Sequence, residues 1–383
     1  MRKYISFALL LLAVSCFTAC GKFFVTDSTS NSNNNGGNNN GGGNNNGGGT
    51  TTTTPKFAYV ANFNNGSGNV SAFTVNATSG ALTAVSGSPF PTTHGSDGIA
   101  ADAAGKFVYV SNQTGGISGF TVNRTTGALT EVSGSPFPAG DTPASITVDP
   151  SARFVYALNV GASTISGYSV NSTSGVLTPF TGTISTTSTP AAVRIDPTGR
   201  FVYAAVANSG VQVFKVGTDG TLSSVRTVPP APCGAVIDIV FDANFHFAYT
   251  VDGSLAMCAW AVNASTGNLT AIGTTNFITG NTPFTLAINP AGTLLFVVNK
   301  DDNNVAPFTL AADGTPTAAT PATFAVGNSP VSAAVDPSGK FLYVVNQADG
   351  TVSIMTIGSS GTLTSAGTAV STAPGPAGIV VTK

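Results

Sequence analysis

One phrase recurs along this chain: DAAGKFVYVSN from Asp102, DPSARFVYALN from Asp149, DPTGRFVYAAVAN from Asp196 and DPSGKFLYVVN from Asp336. Anchored on its first strand residue, it stands at Phe57, Phe107, Phe154, Phe201, Phe247, Leu294 and Phe341, in steps of 50, 47, 47, 46, 47 and 47 residues. A strand-forming unit repeated at this period confines the chain to an array of like sheets. Locally the phrase is a turn running into a strand. Asp caps the turn, Pro presets φ at its second position and Gly supplies a positive φ. The Phe-Val-Tyr-Val that follows is aromatic and β-branched, the composition of a strand.

Each unit offers three further strands. A small, apolar run precedes the turn (PASITV from Pro143, PAAVRI from Pro190, PVSAAV from Pro330), and a third strand follows the phrase (ISGFTV from Ile117, TISGYSV from Thr164). A hairpin signal then recurs at Ser79-Gly80, Thr126-Gly127, Ser174-Gly175, Asp219-Gly220, Thr266-Gly267, Asp313-Gly314 and Ser360-Gly361. Two residues past each glycine stands Leu, or Pro316 in the sixth unit, opening an outermost strand where proline is tolerated. Four antiparallel strands in each of seven units predict an all-β, seven-bladed β-propeller. The strands are apolar on both sides, as sheets packed between sheets require. Tandem immunoglobulin-like sandwiches would need nearly twice this period per domain. The first unit lacks an inner strand, whereas Gly375 to Lys383 (GPAGIVVTK) reads as an inner strand with nothing after it. The C-terminal strand is expected to join the first blade, closing the ring and removing two open edges.

The propeller takes residues 56–383. Before it, Arg2 and Lys3 precede an apolar run from Ile5 to Val14, followed by small residues and cysteine, so residues 1–19 read as a secretory signal. Phe17-Thr18-Ala19-Cys20-Gly21 resembles the lipobox of bacterial lipoproteins, which implies that Cys20 is lipidated and anchors the chain in a membrane. Ala13-Val14-Ser15-Cys16 is a weaker second candidate, and a plain secretory signal is the alternative. Residues 20–55, dominated by Asn, Gly and Thr, read as a disordered tether reaching on the order of 30 Å. Only 8% of residues are charged and the net charge is −2, which leaves no basic footprint for nucleic acid. No cofactor or metal motif is present in the sequence. Cys233 and Cys258 remain for the folded part, either as a disulfide in an oxidising compartment or as two separate buried thiols. The expected protein is a monomer of the bacterial cell envelope, with a membrane, through its lipid, and an unidentified protein, glycan or small molecule as partners.

The Tyr-Val-x-Asn phrase after Asp-Pro-x-Gly-Lys/Arg resembles the YVTN-repeat propellers and the related lactonase-type seven-bladed propellers, including 6-phosphogluconolactonase-like proteins, over Lys56 to Lys383. That resemblance implies a Pro-Arg-His run on one inner strand and an Asn-Glu pair at the end of the next strand. Here Val236-Ile237-Asp238 and Asp252-Gly253 stand in the most comparable places. The seven positions that match the histidine hold Gly98, Ser145, Ala192, Asp238, Thr285, Ser332 and Gly378. Lactone hydrolysis needs a base to activate water and donors or a cation for the oxyanion, and a phosphorylated sugar needs Arg or Lys. The family's residues for this are missing.

Arg194 and Asp238, on inner strands of adjacent blades, are expected either to pair as a structural ion pair or to present one charge to a ligand. His94, in the loop entering the second blade with Asp97 nearby, reads as a solvated histidine or as a third catalytic candidate. Asn62, Asn112, Asn159, Asn208, Asn299 and Asn346, with Asp252 in the fifth unit, are expected to end the second strands as turn caps. The run from Lys300 to Asn304 offers oxygens of a kind calcium accepts without the spacing of a calcium loop, and reads as a hairpin turn. The leading expectation is an anchored propeller that binds a ligand without catalysis. The alternative is a divergent lactone hydrolase using Asp238, Arg194 and His94. The anchor is tested directly: Cys20→Ala should move the protein from the membrane fraction to the soluble secreted or periplasmic fraction. Retention on the membrane, with labelled fatty acid still incorporated, would place the lipid elsewhere.

Overall fold

The repeated aspartate closes the turn that its place in the phrase suggests. In the computed structural model, which describes residues 56–383 apart from 208, 230–233 and 274–275, the Asp102 carboxylate accepts the backbone N–H groups of Ala104, Lys106 and Phe107 at 2.6–3.2 Å. Asp336 does the same for Ser338, Lys340 and Phe341 at 2.7–3.0 Å. In the sixth unit Asn289 takes the part, holding the N–H groups of Thr293 and Leu294 at 2.8 and 2.9 Å. Each of these donors would cost about 1–3 kcal/mol if buried unpaired, so the acid fixes the sharp reversal from inner to second strand. The secretory signal, the tether, Cys20 and Cys233 lie outside the described residues.

Seven sheets follow, each with its inner, second, third and outer strands hydrogen-bonded in that order. In the third blade they are Pro143–Val148, Phe154–Asn159, Thr164–Val170 and Leu177–Pro179, all antiparallel. The first blade receives its inner strand, Pro376–Val381, from the C-terminus, with Val380 opposite Tyr59 and Ile379 opposite Val60. Every inner strand touches the inner strand of the next blade, so the seven surround a common axis.

The outer edge differs from a plain fourth strand. In five blades the outer strand is cut short, and a two-residue strand then returns to pair with the third strand, as Phe90–Pro91 does in the first blade and Ile184–Ser185 in the third. The second blade has a single bridge, Ile117 to Phe137, in that place. The fourth keeps one seven-residue strand, Leu222–Val228, with a bulge at Val225. Broken or bulged, none of these edges offers a long flat row of backbone groups to another chain.

Among the described residues the buried side chains form seven clusters, each centred on the seam between two neighbouring blades. Between the third and fourth blades, for example, Tyr156, Leu158 and Ile165 pack on Val193, Ile195 and Val202. A polar latch crosses six of the seven seams. The hydroxyls of Tyr59, Tyr109, Tyr156, Tyr203, Tyr249 and Tyr343 donate to the carbonyls of Gly127, Gly175, Gly220, Gly267, Gly314 and Gly80 at 2.7–3.0 Å. The same glycines underlie the aromatic rings that open the second strands. A Cβ on Gly127 (φ +78°) would sit 2.4 Å from the Phe57 ring, so both the backbone conformation and the contact require glycine.

Ring closure carries the first prediction from the fold. Deleting Gly375 to Lys383 strips the buried Ala377, Ile379 and Val380 from the first blade. At about 1.5–3 kcal/mol for each large aliphatic side chain, against a net stability of about 5–15 kcal/mol, the loss should abolish a cooperative melt or lower Tm steeply. A truncated chain melting within about 2 °C of the full one, where each kcal/mol moves Tm by only a few degrees, would show that the strand does not close the ring.

Candidate functional site

The inner strands set the geometry of the centre. Pairing places Ser145 opposite Leu158, Ala192 opposite Ala205, Asp238 opposite Val251, Thr285 opposite Val298, Ser332 opposite Val345 and Gly378 opposite Ala61. In the second blade Gly98 meets Ser111 through a 3.0 Å bond from its N–H to Ser111 Oγ. These are the seven positions singled out in the sequence, and at two of them a serine reaches the next blade round the ring. Ser145 Oγ accepts the Val193 N–H at 3.2 Å and Ser332 Oγ the Ile379 N–H at 3.3 Å. At Gly98 a Cβ would lie 2.8 Å from both Ala144 O and Ser111 Oγ, so no side chain fits there at all.

Arg194 and Asp238 come together. Arg194 lies two positions further along its strand than Ala192 and reaches across the seam, its Nη2 2.6 Å from Asp238 Oδ1, with the side chains 5% and 4% exposed. Asp238 Oδ1 also accepts the Ile239 N–H at 2.9 Å, while Oδ2 accepts Thr285 Oγ1 at 2.8 Å and the Leu286 N–H at 3.3 Å. Arg194 Nη1 donates to Val193 O at 3.0 Å. One carboxylate thereby stitches the fourth, fifth and sixth blades together. Both oxygens are engaged, which is what a buried charge needs in order to be tolerated.

His94 does not join this pair. It is exposed on the loop of the second blade, two blades from Arg194 and three from Asp238, and its carbonyl accepts Thr92 Oγ1 and Ser96 Oγ at 3.3 and 3.4 Å. The asparagines that end the second strands turn into their own blades. Asn159 Nδ2 donates to Thr164 Oγ1 and Ser166 Oγ at 3.0 and 2.9 Å, and Asn346 Nδ2 to Thr351 Oγ1 and Ser353 Oγ at the same distances. In the fourth blade the strand ends at Val206, which holds the equivalent place; Asn208 is two residues beyond and outside the described residues. Asp301 and Asp302 accept from Thr282 Oγ1 and from the N–H and side chain of Asn281 at 2.6–2.7 Å, tying the hairpin to the loop that enters the sixth blade. Cys258 is buried and disulfide-bonded; Cys233, its partner in the sequence reading, lies outside the described residues.

Asp97 is the buried acid that the sequence pattern did not single out. In six blades the inner strand carries a bulge just before one of those seven positions. The residue at that place is Ala144, Ala191, Ile237, Phe284, Val331 or Ala377 in the other blades, and Asp97 in the second. Its carboxyl is fully buried, accepts Gln113 Nε2 at 2.7 Å, and is pushed up by burial to about 7. At the corresponding place in the sixth blade Lys300 Nζ stands 5.0 Å above the Phe284 ring, a cation–π pair. Aligning the seven inner strands one column ahead of the histidine column would have exposed Asp97 as the one ionisable residue. Elsewhere, a cleft of about 180 Å³ at the outer edge of the third and fourth blades is lined by Ile165, Phe180, Thr181, Ile184, Thr221 and Leu222, with no ionisable group.

Asp97 makes stability depend on pH. Its carboxyl is raised in the folded chain, so its contribution is complete below about pH 4, is lost as pH rises toward about 7 and is flat above that. Asp97→Asn removes the titration, so the Asn variant should gain on the parent between pH 4 and about 7, by a few kcal/mol at roughly 1.4 kcal/mol per pKa unit. Asp102 and Asp196, also raised by burial, are common to both proteins and cancel. Thermal melts of the two proteins that differ by a constant amount at every pH would show that Asp97 does not titrate in this range.

Sequence comparison matches residues 50–239, 208–329 and 246–379 to the family described as lactonase, 7-bladed beta-propeller. No curated protein sequence matches the chain. Among solved structures, a proposed 6-phosphogluconolactonase from Bacteroides fragilis superposes with a TM-score of 0.73 at 19% identity, covering 87% of this chain and 99% of its own. A periplasmic gluconolactonase from Pseudomonas aeruginosa gives 0.73 at 18% identity, with coverages of 86% and 99%. A protein from Lactobacillus plantarum gives 0.73 at 21%, with coverages of 86% and 100%. At these identities the likeness to the solved structures is one of fold.

Proposed function

From the premise that the chain belongs to the lactonase family of seven-bladed β-propellers, we propose that it is a cell-envelope lipoprotein whose propeller binds a ligand or protein without catalysing a reaction. The observation that carries this reading is the closed state of Asp238. A general base must reach the water it activates. Asp238 instead spends its oxygens on Arg194, Thr285 and two backbone N–H groups, and its side chain is 4% exposed. Arg194 is committed to the same pair and cannot also serve an oxyanion. The envelope assignment rests on the charged and apolar start of the chain and on Cys20 in its lipobox-like setting. The description of the Pseudomonas relative as periplasmic agrees with an exported chain.

One observation favours a second reading, a divergent lactone hydrolase. A carboxyl raised to about 7 lies where a general base works near neutral pH, and Asp97 has that property. Its full burial places it out of a substrate's reach in this conformation. The two readings separate in one assay. The mature protein should hydrolyse 6-phosphogluconolactone and simple sugar lactones no faster than buffer between pH 6 and 8. Turnover that disappears in Asp97→Asn, or in Asp238→Ala with the fold intact by circular dichroism, would establish an enzyme and name its base. Turnover that survives both substitutions would establish an enzyme with a different site.

A further inference from the structure

The seven seams are not equal, and one of them lacks a latch that the other six share. At six seams a tyrosine hydroxyl latches the next blade's hairpin glycine, and a phenylalanine ring covers that glycine at 2.3–2.8 Å from its ideal Cβ position. Between the sixth and seventh blades both features are replaced. Phe296 stands where the latch tyrosines stand and has no hydroxyl to give. Leu294 stands where the covering phenylalanines stand, and its nearest atom is 3.4 Å from the same point on Gly361. The apolar slab remains, with Phe296 and Val298 packed on Val335, Leu342 and Val344. On the opposite rim, where the second and third strands join, the Ser329 N–H still reaches Asn303 Oδ1 across the seam at 2.7 Å. This seam is therefore held at one rim and unlatched at the other.

We propose that the ring has a built-in opening seam between the sixth and seventh blades, hinged at the Asn303–Ser329 rim and parting first at the Gly361 hairpin. The chain's termini do not mark the weak point. The first blade, although it is assembled from both ends of the chain, is latched to the seventh by Tyr343 and to the second by Tyr59. A local opening of this kind exposes backbone amides with a free energy well below that of global unfolding.

Hydrogen exchange on the mature protein reads the opening directly. Peptides covering Leu294–Asn299 and Leu363–Ser365 should exchange faster than their counterparts in the other blades. Phe296→Tyr supplies the missing hydroxyl. It should slow exchange there about five-fold, the equivalent of one net hydrogen bond of about 1 kcal/mol, and raise Tm by roughly 1–3 °C. The converse change, Tyr203→Phe, should carry fast exchange to the seam between the fourth and fifth blades. If the hydroxyl at 296 cannot be accommodated, Tyr203→Phe decides alone: fast exchange appearing at its seam supports the proposal, and no change there overturns it. Equal protection at all seven seams in the unmodified protein, or first opening beside Pro376–Val381, also overturns it.

Discussion

No blade of this protein has a core of its own. Second strands such as Phe154–Asn159 are buried at every residue, so each sheet needs an apolar neighbour on both faces. An open stack would satisfy that need everywhere except at its two ends, and the ring removes the ends. The borrowed C-terminal strand and the placing of the clusters between blades are consequences of this single requirement. Stability is accordingly spread over like seams, as in other repeat architectures, and local chemistry at one seam changes local stability there.

The turns and main strands, whose signals lie inside one repeat, are legible from sequence. Asp102 caps a turn five residues long, Gly127 reverses a hairpin, and the phrase from Phe107 alternates as a strand. The expectation of seven blades, of four main strands in each and of a ring closed by the segment Gly375 to Lys383 follows from such local signals, and the structure agrees, with the closing strand at Pro376–Val381. The hydroxyl latches across repeats were not legible. Tyr59 reads as strand composition, yet its hydroxyl serves Gly127, 68 residues away, and that of Tyr343 serves Gly80, 263 residues away. The returning two-residue strands escaped notice because Phe90–Pro91 and its counterparts are too short to show a period. Asn208 follows an alanine and valine run and so reads as a strand end, but the ladder to the third strand stops at Val206.

The centre was partly legible in the same sense. The Arg194–Asp238 pairing follows from two charges on adjacent inner strands among small and apolar counterparts, and the structure brings them to 2.6 Å. Asp97 escaped because it occupies a bulge, where the two-residue alternation that assigns faces breaks down. The same local irregularity recurs before Ser145, Ser332 and Gly378, so one column of the repeat serves a different geometry from its neighbours. The second blade's Asp97 with Gln113 and the sixth blade's Lys300 over Phe284 set these two blades apart from the rest of the repeat.

The buried pair also constrains how the lineage can change. Losing either Arg194 or Asp238 alone strands a lone charge among three blades, at about 3–5 kcal/mol, a large part of what a domain has to spare. Replacing both with apolar residues of similar volume would be close to neutral. The two positions are therefore inherited as one unit, and descendants with only one of them should be scarce. A route from this centre to one bearing a histidine on the fifth inner strand passes through that costly single mutant unless Arg194 is altered in the same step.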